Sequence, residues 1–342
     1  MTDRPDGTVA AIGERALIER LRRRVGRHPA WIALGIGDDA ALIEPGRGEV
    51  AVLTTDSLIE DVHFRRRWSP AAAIGRRALA VNLSDLAAMG ATPRACLLSL
   101  GLPVDLGVAE FDALVDGLVE LADAAGAPLV GGNIARSPGP LVVDVTVQGS
   151  VRRRRALVRS GARPGDELYV TGALGGARAG LRLLERGLDR AEASEAERRC
   201  LDRYERPEPR LRTGRSVSRQ GAASAAIDLS DGLADGVRQM AEASRLGAAV
   251  DAAAVPIDPS VTEVAAAIDA TPFELALAGG DDYELLFAVP PRKRRTFLAA
   301  VKRAGETSAT RIGRLTADRA LAIEDAGASR PLGDAGFAHF RV

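Results

Sequence analysis

The sequence predicts a mixed α/β protein built as two domains. Three observations carry that expectation. Apolar runs of strand length, many ending on Asp or Gly, alternate with stretches of helical periodicity. A chain of 342 residues is long for one core and comfortable for two. An arginine run at 152–155 and the SGARPGD stretch at 160–166 then interrupt the pattern, which places one domain at 1–151 and the other at 152–342.

Taken in order, residues 13–26 (GERALIERLRRRVG) have the spacing of an amphipathic helix. LGIGDDAALI, 34–43, reads as a strand interrupted by a Gly-Asp turn, and VAVLTTDSLI, 50–59, as an apolar strand carrying Thr54, Thr55 and Asp56. A helix over 70–90 has Pro70 just inside its start and Gly90 and Pro93 at its end. CLLSLGLP, 96–103, is a strand, and 108–125 a helix closed by Gly126. PLVGGN, 128–133, reads as a short strand running into a glycine turn. LVVDVTVQGSV, 141–151, alternates apolar and polar residues as a half-buried strand does. In the second domain strands are expected at 167–172, 225–231, 247–252, 283–290 and 310–315. Helices are expected over 176–187, 191–204, 209–219, 232–245 and 291–304.

Composition excludes several function classes. Lys+Arg and Asp+Glu both number 46, so the net charge is zero, which argues against a nucleic-acid binder that works by bulk charge. The only lysines are Lys293 and Lys302. Neither follows a P-loop pattern, and none supplies the strand lysine of a protein kinase. Cys96, Cys200, His28, His63 and His339 form no cluster with zinc-ligand spacing. Both cysteines sit in apolar or helical surroundings, so no disulfide and a reducing, cytoplasmic setting are expected. Residues 1–8 are polar, with no signal-peptide core, and no stretch approaches the roughly 20 apolar residues of a membrane span.

The chemistry is carried by aspartates. Six segments share one pattern, an apolar run followed by Asp, Asn or Thr beside Gly or Ser. They are GIGDDA (35–40), TTD (54–56), NLSD (82–85), GGN (131–133), DLSDG (228–232) and GGDDY (279–283). Asp85 stands in a helical stretch with almost no other charge, three residues from Asn82 on the same face. Such a carboxylate needs an arginine partner, hydrogen bonds or a cation. Ser230 or Asp231 could instead cap the helix that follows. Hydroxyl and carboxylate oxygens suit Mg²⁺ rather than zinc. If Asp39, Asp56, Asp85, Asp228 and Asp231 converge, their mutual repulsion calls for divalent cations, and Mg²⁺ held by few carboxylates calls for substrate phosphates. Gly131 and Gly132 would let backbone approach a polyphosphate. Gly172, Gly175, Gly176 and Gly180 fit a phosphate loop or tight packing equally well.

At these residues the sequence resembles the thiamine-monophosphate kinase family, part of a superfamily with aminoimidazole ribonucleotide synthetase and selenophosphate synthetase. The strings that carry the resemblance are GIGDDAAL, TTDSLIEDVHF, ALAVNLSDLAAMGATP, GGN, LVRSGARPGDELYVTG, AIDLSDGL and GGDDYEL, in order from 35 to 287. The resemblance implies the two-domain fold of aminoimidazole ribonucleotide synthetase, and a homodimer that pairs N-terminal sheets. It implies an N-terminal domain for ATP and Mg²⁺ binding and ATP-dependent phosphorylation of thiamine monophosphate to the diphosphate. By position, Asp39, Thr54, Thr55, Asp56, Asp85, Asn133, Asp228 and Asp231 match magnesium ligands. Gly132, Asn133, Arg159 and Ser230 match nucleotide contacts, and His63, Asp281 and Phe337 match positions that hold the thiamine moiety. The family has Asp where this chain has Asn133, which implies weaker affinity at one metal site. Phe337 lacks the hydroxyl of a tyrosine and can only stack.

An acceptor phosphate already ionised near neutral pH needs no general base, so direct in-line transfer is expected, with no phospho-enzyme. Rival members of the superfamily fit less well. Selenophosphate synthetase needs a reactive N-terminal Cys, the hydrogenase-maturation relative a C-terminal Cys, and aminoimidazole ribonucleotide synthetase an N-terminal lysine motif. A nucleotide-binding homologue without turnover and a Ca²⁺-stabilised structural protein are the readings from other classes. His63 has a structural alternative too, and Met89, Trp31, Trp68 and Cys96 read as packing residues.

Overall fold

The computed structural model describes residues 7–25, 28–34, 36, 41–44 and 46–333. The chain falls into two compact units, one of Met1–Leu86 with Thr92–Arg153, the other of Ala87–Ala91 with Arg154–Val342.

The first unit contains α1 (Val9–Ile12), α2 (Glu14–Arg24), β1 (Ile32–Leu34), β2 (Leu42–Ile43), β3 (Glu49–Ile59), α3 (Ala71–Ala88), β4 (Thr92–Leu102), α4 (Val108–Ala125), β5 (Leu129–Arg136) and β6 (Val142–Arg152). Its sheet has the order β3-β6-β4-β5, with β3 and β5 at the edges. The alternation read in β6 sets the layers. Val143, Val145 and Val147 are buried, whereas Asp144, Thr146 and Gln148 are half-buried on the other face. The helices behind the sheet touch backbone to backbone. A Cβ on Gly75 of α3 would lie 1.8 Å from the Leu114 carbonyl of α4, and one on Gly117 would lie 2.0 Å from that of Ala72. Helix α4 ends at Gly126 in the left-handed conformation (φ 70°), which lets its amide close on Ala122 and Asp123.

Three expectations for this unit need correction. The interrupted strand expected over 34–43 starts earlier, as Ile32–Leu34, and resumes as Leu42–Ile43 antiparallel to it with Ile32 opposite Ile43, while the Gly-Asp turn expected at 37–40 lies outside the described residues. Strand β4 begins at Thr92 rather than 96, because a register shift between Pro93 and Ala95 accommodates the proline. Strand β5 runs straight through Gly-Gly-Asn to Arg136 with no turn. Gly132 is required there because a Cβ would lie 1.8 Å from the Leu98 carbonyl of β4. The close approach is to a neighbouring strand.

The second unit contains β7 (Glu167–Thr171), α5 (Gly176–Glu185), α6 (Glu195–Glu205), α7 (Leu211–Gln220), β8 (Ala225–Asp228), α8 (Leu233–Ser244), β9 (Gly247–Asp251), α9 (Pro259–Val264), α10 (Pro272–Ala278), β10 (Leu285–Val289), α11 (Arg294–Ala304), β11 (Ala309–Thr316), β12 (Leu321–Asp325) and β13 (Ala328–Pro331). The sheet order is β13-β12-β9-β11-β7-β10-β8, antiparallel except between β12 and β9. Strand β10 reads LLFAV without a polar residue because both sheet faces are covered. Leu286 and Ala288 join one cluster with Leu168, Val170 and Ile227. Leu285, Phe287 and Val289 join another around Phe297.

Helices α9 and α10 and strands β12 and β13 were not foreseen. The start of α10 is locally encoded, since Thr271 and Glu274 form a reciprocal capping box with Pro272 at the first helical position. Among the described residues no helix is long and apolar enough to cross a membrane, and both cysteines are free and buried.

Candidate active site

In the first unit the expected residues fall on both faces of one strand. Successive side chains of β3 alternate, so Thr54 and Asp56 share the side that faces α3, and Thr55 faces the other way. From Arg77 to Leu86 every residue is buried except Asp85, which is partly exposed. The Thr54 hydroxyl donates to Asp85 Oδ2, which ties strand to helix. Asn82 is fully buried. Its Nδ2 donates to the Ala78 carbonyl at 3.0 Å, and its Oδ1 lacks a hydrogen-bond partner.

On the opposite face the Thr55 hydroxyl donates to Asp144 Oδ1 at 3.1 Å and accepts from Thr146 at 3.0 Å. Asn133 is exposed on that same face, near Leu53, Leu97, Ser99, Asp144 and Thr146. These residues line a concavity of about 1350 Å³. Leu53 is 69% exposed and Leu97 41% exposed, and Ile18, Leu21, Ala95 and Val130 add further apolar lining to the same concavity. Asp144 was missed as a site candidate: the alternation of β6 puts it on the polar face of that strand, and the pairing with β3 brings it to Thr55.

His63 follows β3 in a tight turn. Its Nδ1 accepts the Ile59 N–H at 3.0 Å, so the neutral ring carries its proton on Nε2. Arg77 donates to the His63 carbonyl at 3.2 Å. Asp39 and Phe337 lie outside the described residues.

In the second unit two motifs far apart in sequence are joined. Strands β8 and β10 pair with Asp228 opposite Leu285, and the pairing continues into the loops beyond. The Leu229 N–H donates to the Glu284 carbonyl (2.8 Å), Tyr283 N–H to Leu229 (3.1 Å) and Asp281 N–H to Ser230 (2.7 Å). Asp228, Ser230, Asp231 and Asp281 therefore sit on one doubled loop. Neither Ser230 nor Asp231 occupies the N-cap position of the following helix. The N-cap of α8 is Gly232, with no side-chain cap, at φ 100° and so close to Gly279 that a Cβ would lie 2.6 Å from its carbonyl oxygen.

Arg159 is exposed, and its Nη1 donates to Gln239 Oε1 on α8 at 2.6 Å. The glycines at 172–180 are explained by packing. A Cβ on Gly172 would lie 2.2 Å from Glu284 Oε1, and one on Gly180 the same distance from the Cys200 carbonyl.

Beneath the loop lie two buried acids that sequence reasoning did not single out. Glu284 is fully buried and accepts from Arg210 Nε (2.8 Å) and Nη2 (2.5 Å), Arg203 (3.1 Å) and Thr171 (2.7 Å). Burial opposes its charge, but the arginines win and its carboxyl stays below the usual carboxylate range. Asp282 accepts the N–H groups of Gly175 (2.7 Å) and Ala177 (3.3 Å), capping α5 from a distant part of the chain. Burial dominates there and pushes its carboxyl up to about 7.

As a metal centre the donor set is hard: carboxylate, hydroxyl and amide oxygens, without sulfur. That chemistry fits Mg²⁺. Among the described residues no three His, Cys, Asp or Glu side chains gather as a ready ligand group. Hydroxyl, amide and substrate oxygens would have to complete any such shell.

The class of protein follows from both units together. Residues 37–151 match the AIR synthase related protein N-terminal domain, and 163–326 match the C-terminal domain of the same family. The thiamine-monophosphate kinase of Escherichia coli is 40% identical over 308 residues, 90% of this chain and 92% of that protein. The crystal structure of thiamine-monophosphate kinase from Stenotrophomonas maltophilia matches with a TM-score of 0.81 at 40% identity, covering 92% of this chain and 97% of that one. A structure of AaThiL complexed with AMPPCP and TMP matches with a TM-score of 0.77 at 31% identity, covering 96% and 98%. The chain belongs to the AIR synthase related proteins and, within them, to the thiamine-monophosphate kinase family.

Proposed function

We propose that this protein transfers the γ-phosphoryl group of ATP to thiamine monophosphate, giving thiamine diphosphate and ADP. The observation that carries the reading is the Thr54–Asp85 pair. It puts one partly exposed carboxylate, on an otherwise buried helix segment, against a strand hydroxyl at family ligand positions. A ThiL relative bound to AMPPCP and TMP supports the choice of substrates.

Asp39, Thr54, Thr55, Asp56, Asp85, Asn133, Asp228 and Asp231 are the residues that would hold several Mg²⁺ ions, Thr55 and Asn133 from the open sheet face. When bound, Mg²⁺ offsets the charge that keeps two phosphates apart. Gly132, Asn133, Arg159 and Ser230 contact the nucleotide, with Arg159 held for that task by Gln239. His63 presents an Nε2–H to the acceptor, Asp281 a carboxylate, and Phe337 a ring for stacking. The acceptor phosphate has a second pKa of about 6, so it is ionised at neutral pH and no side chain has to remove a proton. Transfer is direct and in line, without a phospho-enzyme.

The N-terminal unit binds ATP and Mg²⁺ and forms the homodimer through its sheet, where exposed Leu53 and Leu97 supply apolar surface. The enzyme works in the cytoplasm on small phosphorylated substrates.

The test is ADP release from ATP and Mg²⁺ with and without thiamine monophosphate, with the diphosphate identified by chromatography. Turnover that requires the monophosphate is expected. Tight ATP binding with no monophosphate-dependent turnover would overturn the reading in favour of another acceptor or a non-catalytic homologue. A phosphoryl adduct on any Asp or His during turnover would exclude direct transfer.

A further inference from the structure

We infer that Tyr283 is a positioning residue that holds Asp281 in the orientation the thiamine moiety meets. The inference rests on the reading of Asp281 given above and adds a residue to it.

Two observations lead there. The first is backbone conformation. Asp281 has φ 69° and Tyr283 φ 49°, both left-handed and neither glycine. A bulky aromatic residue adopts that conformation only where its surroundings over-determine it. The second is the anchoring of alternate residues. Asp282 points inward to the N–H groups of Gly175 and Ala177, and Glu284 points inward to Arg210, Arg203 and Thr171. Below them the backbone is tied to residues 229 and 230, and a Cβ on Gly280 would lie 2.5 Å from the Ser230 carbonyl oxygen. The segment thus cannot relax its strain by sliding.

The result is a rigid bracket. The Tyr283 side chain is buried, 7% exposed, and its hydroxyl donates to Asp281 Oδ1 at 3.2 Å. Asp281 is only half-buried, and the Tyr283 hydroxyl holds its carboxylate from the buried side. A carboxylate fixed before substrate arrives loses little freedom on binding, which is how preorganisation raises affinity. Charge alone would not need this arrangement. An unsupported aspartate on a glycine loop would supply the same charge with many orientations.

Tyr283→Phe keeps the ring, the packing and the backbone requirement, and deletes only the donor. Its expected effect is a rise of about three- to tenfold in KM for thiamine monophosphate, the range of one ordinary hydrogen bond. KM for ATP, kcat and the melting temperature should stay at wild-type values. Asp281→Ala should raise the same KM further, and adding Tyr283→Phe to it should change nothing more, because the acceptor being positioned is gone. An unchanged KM in Tyr283→Phe would overturn the inference. So would an equal extra rise in the Asp281→Ala background, or a fall in kcat and melting temperature together, which would mark Tyr283 as merely structural. Wild-type protein without monophosphate-dependent turnover would instead refute the functional reading itself, and the role of Tyr283 would fall with it.

Discussion

The two units hold their acids in different ways. In the first, Asp85 is the one partly exposed residue of the helix segment 77–86, and it accepts a neutral hydroxyl from an edge strand. In the second, the half-buried Asp281 rests above two fully paired buried acids, on a loop zipped to its neighbour by backbone hydrogen bonds. The first arrangement leaves a carboxylate partly open to solvent where the strand meets the helix. The second spends ionic and capping interactions on shaping a loop. Substitutions at the acids should therefore cost stability in the second unit and activity in the first.

The largest stability effect is expected at Glu284. Glu284→Gln would leave the buried Arg210 with only the exposed Glu208 as counter-charge, and breaking a buried pair in this way costs about 3–5 kcal/mol. Urea unfolding of the full chain checks it, and a loss below about 1 kcal/mol would remove the contrast between the units. Asp282 comes next and carries a sign. Its carboxyl is raised from 3.8 to about 7 in the folded protein, so the folded state favours the protonated form. The stability it lends is complete below the lower value and is lost as pH rises through the window to the higher one, up to about 4 kcal/mol in all. Melting curves across that window should show the decline in wild-type protein and a flatter profile in Asp282→Asn. Identical profiles would mean that Asp282 is ionised throughout.

A smaller loss tests the first unit's sheet. Gly132→Ala must push β5 away from the Leu98 carbonyl and should cost about 1–3 kcal/mol. Full stability there would put the role of Gly132 with the nucleotide rather than with the strand. Thr54→Val should cost least, about 1 kcal/mol, because Asp85 is partly open to water. Its activity should fall far more than its stability. A large drop in melting temperature would instead make the pair a structural tie.

The parts of the fold legible in the sequence were those set by local rules. The helix over 108–125 with its glycine stop, the alternation of β6 and the proline at the start of α3 all follow from short-range chemistry. What stayed hidden depended on partners distant in sequence. The glycines of β5 look like a turn until β4 is laid beside them. The cap of α5 comes from Asp282, more than 100 residues away, so no local motif announces it.

The site divides along the same line. Each Asp-bearing motif was visible alone, but the meeting of DLSD with GGDDY required the β8–β10 pairing. The separation of Thr54 from Thr55 onto opposite faces needed only the two-residue period of a strand, and treating TTD as a single cluster overlooked it.

The most direct measurement is the turnover of Asp85→Asn beside wild type, with melting temperature read on the same samples. The proposed role of Asp85 predicts wild-type melting and a loss of monophosphate-dependent ADP release of at least about 100-fold, the scale on which removing one electrostatic stabiliser acts. Turnover within a few-fold of wild type at unchanged melting would contradict it.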